Sequence, residues 1–211
     1  MSDVAPRAFE ARHLQMARAF FAAVAAVMIT FSIDHSAAVG VAVFSGFAVA
    51  TALVLLLSVW LVFPAGQRWS SVLLGLLTLV AGIAGSLPTM RTTEMFFVLV
   101  VTWAFVTGIA ELVVGLVGRR RATPGAREAV FVGILTLILG VGLIVTDPGY
   151  LLEYYIADAQ RSFELTGITI GVGVFGGYAA VVAVYLGIAA FSPRPAPAVT
   201  ADPADASGGH A

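Results

Sequence analysis

The sequence predicts an all-α, polytopic membrane protein of six transmembrane helices, built as three repeated helix pairs. Three observations carry that class. Of the 211 residues, 60% are hydrophobic and only 11% charged. Mean hydropathy is +0.99, whereas a soluble domain carries about a quarter charged residues and cannot hide this much apolar surface in one core. Finally, the apolar residues fall into six stretches near the roughly 20 residues that a helix needs to cross a bilayer.

The predicted spans are residues 14–33, 37–63, 70–87, 95–117, 129–146 and 166–191, bounded by polar or helix-breaking residues such as Asp34, Pro64, Pro88, Arg119 and Pro148. Residues 1–13 form a cytoplasmic segment. Arg7, Arg12 and Arg18 precede an Ala-rich hydrophobic run, as in a signal peptide, but the apolar length exceeds the roughly 7–15 residues of a signal core, so the first span is read as a retained helix. Before the fifth span, Thr123 is the expected cap and Pro124 suits the first helical turn. Residues 192–211, rich in Pro, Ala and Asp, are expected to form a disordered cytoplasmic tail.

Arginine placement sets the expected orientation, because basic residues flanking spans stay cytoplasmic. With the N-terminus inside, nine of the 11 arginines fall in inner segments, and only Arg91 and Arg161 fall outside. Both termini are then cytoplasmic, in a bacterial inner membrane. Trp60 and Trp69 near one boundary, and Tyr150, Tyr154 and Tyr155 near the other, suit the aromatic belts at the two interfaces. The formal net charge of -1 offers no basic field for nucleic acid, and the absence of cysteine excludes disulfides and thiolate chemistry.

A shift along the chain aligns Val72, Gly75, Leu77, Thr78, Leu79 and Gly82 with Val130, Gly133, Leu135, Thr136, Leu137 and Gly140. The helix after each copy also aligns, Gly108 with Gly177. A repeated hairpin is the expected building unit. The stretches GLLTLVAGIAGSLP, ending at Pro88, and GILTLILGVGLIVTDP, ending at Pro148, resemble the HdeD family of acid-resistance membrane proteins, as does WAFVTG with Trp103 and Gly108. The first pair instead turns at Asp34 and His35, and Val172 stands where Trp103 would align in the last helix. The resemblance implies six helices and a role in acid or envelope stress, with no catalytic residues to carry over.

Glu111 is the one carboxylate deep in a predicted span, about 7 Å from its middle by the helical rise. Ionisable groups in lipid are costly and usually face protein or water. Ala104, Gly108 and Gly115 share its face, so it is expected to point at a neighbouring helix. Two readings stay open: a functional carboxylate, or a structural one near the boundary, toward which Arg119, Arg120 and Arg121 lean. Thr78 and Thr136 are expected at the same depth, completing an intramembrane polar cluster with Glu111 or else bonding back to Leu74 and Val132. If the cluster is structural, Glu111→Gln should keep the fold.

The glycines of the last span, Gly167, Gly171, Gly173, Gly176 and Gly177, suit close helix packing or a helix broken at Gly176 and Gly177. Arg119, Arg120 and Arg121 are candidates for a lipid head group. Residues 150–164 read as an amphipathic helix on the outer interface. Asp34, His35, Glu153, Asp158 and Glu164 form an acidic, pH-responsive outer set. No metal constellation, nucleophile motif or cofactor signature appears. The expected partners are membrane lipids and either further copies of the chain or a periplasmic protein. The leading expectation is a non-enzymatic stress protein. The alternative is a small transporter or channel with a polar site around Glu111.

Overall fold

The computed structural model describes residues 9–63, 68–156 and 160–192. It contains six helices long and apolar enough to cross a membrane: α1 (Ala11–Phe31), α2 (Ala37–Leu61), α3 (Trp69–Ser86), α4 (Thr93–Arg120), α5 (Ala126–Val145) and α6 (Gly167–Phe191). Between the last two lie the strands β1 (Leu151–Ile156) and β2 (Arg161–Thr166). Residues 1–8 and 193–211, with Arg7, Arg194 and His210, lie outside the described residues.

Helices that are apolar on nearly every face leave their ends to be fixed by local chemistry. The side chains of Ser36, Thr92 and Thr166 accept hydrogen bonds from the backbone N–H groups of Val39, Met95 and Thr169 at 3.5, 3.3 and 3.3 Å. Each thereby supplies a partner to an N–H that the first turn leaves open. At the other end of α4, Arg119 and Arg120 occupy the last turn, where positive charge complements the exposed carbonyls. The expected cap at Thr123 is displaced: α5 begins after Gly125, whose φ of 83° is left-handed, a conformation glycine adopts without steric cost.

Consecutive helices contact one another, and α6 closes back on α1, so the bundle is a ring in which α2 also reaches α4 and α6. The closest packing joins α4 to α5, α1 to α6 and α2 to α3. The three sequence pairs are therefore units of connectivity, out of step with the units of tightest packing. Glycines mediate these contacts. A Cβ on Gly75 or Gly82 would meet Leu56 or Val49 of α2 at 2.8 Å, and one on Gly133 would meet the Leu112 backbone of α4 at 2.6 Å.

Of the glycines in α6, Gly176 abuts Ile29 of α1 while Gly173 and Gly177 meet nothing within 4 Å. The helix runs unbroken through them, so they serve packing and surface and not a broken helix.

The segment expected to be an amphipathic helix forms two strands instead. Residues 151–156 and 161–166 form an antiparallel ribbon that pairs Glu153 with Glu164 and Tyr154 with Phe163. Aromatic and β-branched side chains favour a pleated surface, and the ribbon satisfies its backbone by cross-strand bonds where a short isolated helix is marginal in water. The two ends of the bundle are thus distinct. One gathers Arg12, Arg68, Arg119, Arg120, Arg121 and Arg127 at helix ends and is called here the arginine end; the other carries the ribbon, Asp34 and Arg91.

Candidate functional site

Helices α2, α4 and α6 all start at the hairpin end, and their buried residues descend toward the arginine end with the same spacing. Phe44, Val100 and Phe175 are fully buried, as are Ala48, Ala104 and Ala179. Between them lie Phe47, Trp103 and Tyr178, and below them Thr51, Thr107 and Val182. One step lower stand Leu55, Glu111 and Leu186. This register sets Tyr178 at the level of Trp103, so the sequence alignment of Trp103 with Val172 is displaced: Val172 lies nearer the hairpin end.

The upper layers form an aromatic plug. Phe44 meets Trp103 and Phe175 at centroid distances of 5.2 and 5.6 Å, Phe47 meets the same two rings at 6.0 and 5.8 Å, and Trp103 meets Tyr178 at 6.1 Å. All five pairs are edge-on, the arrangement that sets a ring's positive edge against another's negative face.

Below the plug, the bundle turns polar. Arg18 of α1 places Nη2 2.7 Å from Glu111 Oε1, with the two side chains 10% and 8% exposed. This is a charge contact without a straight hydrogen bond, since that oxygen has no aligned donor. Taking two ions out of water costs several kcal/mol each, so neither belongs here without the other. Arg18 lies seven residues into α1 and Glu111 nine before the end of α4, about 10 and 14 Å along their axes by the helical rise.

Hydroxyls surround the pair in a directed pattern. Thr107 donates to the Trp103 carbonyl at 2.6 Å and Thr136 to the Val132 carbonyl at 2.7 Å. Because Thr136 has one proton and has spent it, its 2.9 Å contact with Tyr178 has the phenol as donor. Trp103 Nε1–H donates to Thr78 Oγ1 at 3.5 Å. Thr51 Oγ1 and Glu111 Oε1 are buried without a hydrogen-bond partner.

These groups line a cavity of about 20 Å³ bounded by Arg18, Thr51, Thr78, Glu111, Thr136 and Tyr178, among others. That volume admits about one water molecule. A second cavity, about 70 Å³, lies on the arginine side among Gln15, Ser70, Ser71, Gly118 and Thr123. Arg18, Leu55, Leu74 and Glu111 line both, so the ion pair and two leucines are the wall between chamber and vestibule.

The structure thus brings Glu111, Thr78 and Thr136 around one cavity, though neither threonine bonds the carboxylate directly. Thr136 bonds back to Val132; Thr78 instead receives the Trp103 indole. The cationic partner is Arg18, and Arg119, Arg120 and Arg121 are exposed at the C-terminal end of α4. The sequence signal for Arg18 is its place inside an apolar run, where basic residues are rare and paired; its nearness to Arg7 and Arg12 makes it look like a flanking charge.

The acidic residues at the hairpin end stay apart from this site. Asp34 accepts from Ser36 N–H at 2.8 Å and Ser36 Oγ–H at 3.0 Å, holding the turn into α2, with His35 half-buried beside it. Glu153 and Glu164 face each other on the ribbon, and Asp158 lies outside the described residues. Among the described residues no group of three or more His, Asp or Glu side chains could hold a metal ion. No protein-family model, no curated protein and no solved structure matches the chain.

Proposed function

We propose that this multi-pass membrane protein resides in the bacterial inner membrane with both termini cytoplasmic, and acts without catalysis in resistance to acid or envelope stress. The observation that carries this reading is the ion pair Arg18–Glu111, buried among hydroxyl side chains inside a bundle of apolar helices. It is a side-chain charge contact that reaches from α1 to α4, and an attraction of this kind depends on the carboxylate being ionised. The glycine-spaced spans ending at Pro88 and Pro148 agree with it through their resemblance to HdeD-type proteins. The excess of arginine at one end agrees with the orientation.

The test is survival of a deletion strain after acid challenge, with complementation by the wild-type chain and by the variant Glu153→Gln, Asp158→Asn, Glu164→Gln. Unchanged survival on deletion refutes the stress role. Full protection by the amide variant leaves the stress role standing and removes the acidic outer surface from the mechanism.

A second reading, a small transporter or channel, is favoured by the polar chamber beside Glu111. At about 20 Å³ the chamber holds about one water. It suits a proton or a small ion and is too small for an organic solute. Ion flux into liposomes carrying the purified protein, absent from empty liposomes, would favour it.

A further inference from the structure

We infer that Glu111 is a proton-binding site supplied by water from the arginine end alone, with Arg18 as the gate between vestibule and chamber. This rests on the membrane-spanning part of the reading above and is independent of the acid-stress role, because it is defined by the ends of the protein.

Three observations converge on it. First, the wall between the cavities contains the ionisable pair, beside Leu55 and Leu74. A proton arriving in the vestibule meets Glu111 without crossing an apolar layer. Second, Gln15 Oε1 beside the vestibule and Thr51 Oγ1 beside the chamber lack hydrogen-bond partners, and Glu111 Oε1 at the wall meets Arg18 without an aligned donor. Orphaned buried oxygens next to cavities of at least one water's volume are where ordered water sits, since each lost hydrogen bond otherwise costs about 1–3 kcal/mol. Water in both cavities would give these three oxygens donors and join them into one file. Third, the file stops at the plug. Phe44, Val100 and Phe175 are completely buried above the chamber, followed toward the hairpin end by Val41, Phe96 and Val172, all fully buried. None of these side chains offers a hydrogen bond to carry a proton onward.

Glu111 is the one carboxylate that lines either cavity. From α1 comes the Arg18 guanidinium, its ion-pair partner. From α6 comes Tyr178, whose proton is held by Thr136. The other helices present Thr51 and Leu55 from α2, Leu74 and Thr78 from α3, and Thr136 from α5, none of which is ionisable. The proton therefore passes from vestibule water to the Glu111 carboxylate and returns by the same route. When it binds, Arg18 loses its counter-charge and is drawn toward the wetter vestibule, where Gln15 Oε1 waits as an acceptor. Movement of Arg18 opens the wall and alters the surroundings of Trp103, which lines the chamber.

Trp103 is therefore the reporter. The variant Trp60→Phe, Trp69→Phe removes the other two indoles, which are 69% and 56% exposed, and leaves the pair untouched. It is reconstituted in liposomes, with orientation quantified by impermeant labelling of a cysteine at position 120. The pH is stepped from about 8 to about 4 on one side at a time, across the carboxylate and imidazole ranges. The expected result is a reversible shift of Trp103 emission when the step is applied at the arginine end, and none when it is applied at the hairpin end. In the background Arg18→Met, Glu111→Met, which keeps volume without charge, the shift is lost. A response from the hairpin end, a response that survives in the double Met background, or no response at either end overturns the inference. The sidedness measurement needs no change at the pair, so it stands even if the double Met protein fails to fold. Loss of acid survival without a sided Trp103 response would defeat this inference alone; a sided response with normal survival of the deletion strain would defeat only the stress role.

Discussion

Each member of the Arg18–Glu111 pair is intolerant of losing the other. Removing one charge leaves an uncompensated ion in the bundle, at a cost of about 3–5 kcal/mol. Glu111→Gln, which sequence reasoning expects to be benign if the site is structural, is therefore expected to lower unfolding stability by an amount in that range. Arg18→Met with Glu111→Met is expected to be close to wild type or above it, measured by denaturant unfolding in detergent. The hydroxyl pattern gives a second, asymmetric prediction. Thr136→Val strands the buried Tyr178 phenol and costs about 1–3 kcal/mol, whereas Tyr178→Phe leaves Thr136 still bonded to Val132 and costs about 0.5–1.5 kcal/mol. Equal costs would mean that the phenol finds another acceptor. At this scale Glu111, Thr78 and Thr136 were legible in sequence, because polar residues stand out in apolar spans. Thr51, Thr107 and Tyr178 were not, since spacing along one helix does not say which face turns inward.

Among the helices, the glycines are where sequence pattern and packing divide. Gly133 sits against the Leu112 backbone, with 2.6 Å available to a Cβ, so Gly133→Ala is expected to push α5 off α4 and cost about 1–3 kcal/mol by overpacking. Gly177 has open space, and Gly177→Ala is expected to be neutral, or stabilising by up to about 1 kcal/mol through helix propensity. Thermal unfolding of the two variants in one detergent checks the contrast. The ribbon carries its own flaw, Glu153 directly opposite Glu164. Like charges across strands oppose pairing, and Glu164→Gln is expected to strengthen the ribbon by about 0.2–1 kcal/mol, seen as slower amide exchange in the two strands, Leu151–Ile156 and Arg161–Thr166. Sequence reasoning took this segment for a helix because Leu151, Leu152, Tyr155 and Ile156 also suit a helical face. The cross-strand partners that decide the matter lie too far along the chain for a local period to reveal.

For the whole molecule, the arginine end gathers the vestibule, the exposed arginines and the open side of the ion pair, while the hairpin end is closed by aromatic rings. If the arginine end is cytoplasmic, a cysteine at position 120 in intact cells is expected to resist an impermeant thiol reagent and to react after the membrane is opened. The chain has no native cysteine to obscure the result. Labelling in intact cells would invert the orientation and with it the compartment from which Glu111 is reached.

Six helices long and apolar enough to cross a bilayer, and the single carboxylate deep among them, are legible in the chain without the fold. These follow from local hydropathy and the cost of burying charge, which each segment states for itself. That Arg18 is the partner of Glu111, that the tightest contacts run α2 with α3, α4 with α5 and α6 with α1, and that a polar chamber lies beneath an aromatic plug emerge from the folded bundle alone. Each of these depends on helix rotation and neighbour choice. In helices apolar on nearly every face those choices are set by side-chain packing among all six, and no one helix carries a hydrophobic stripe to announce them.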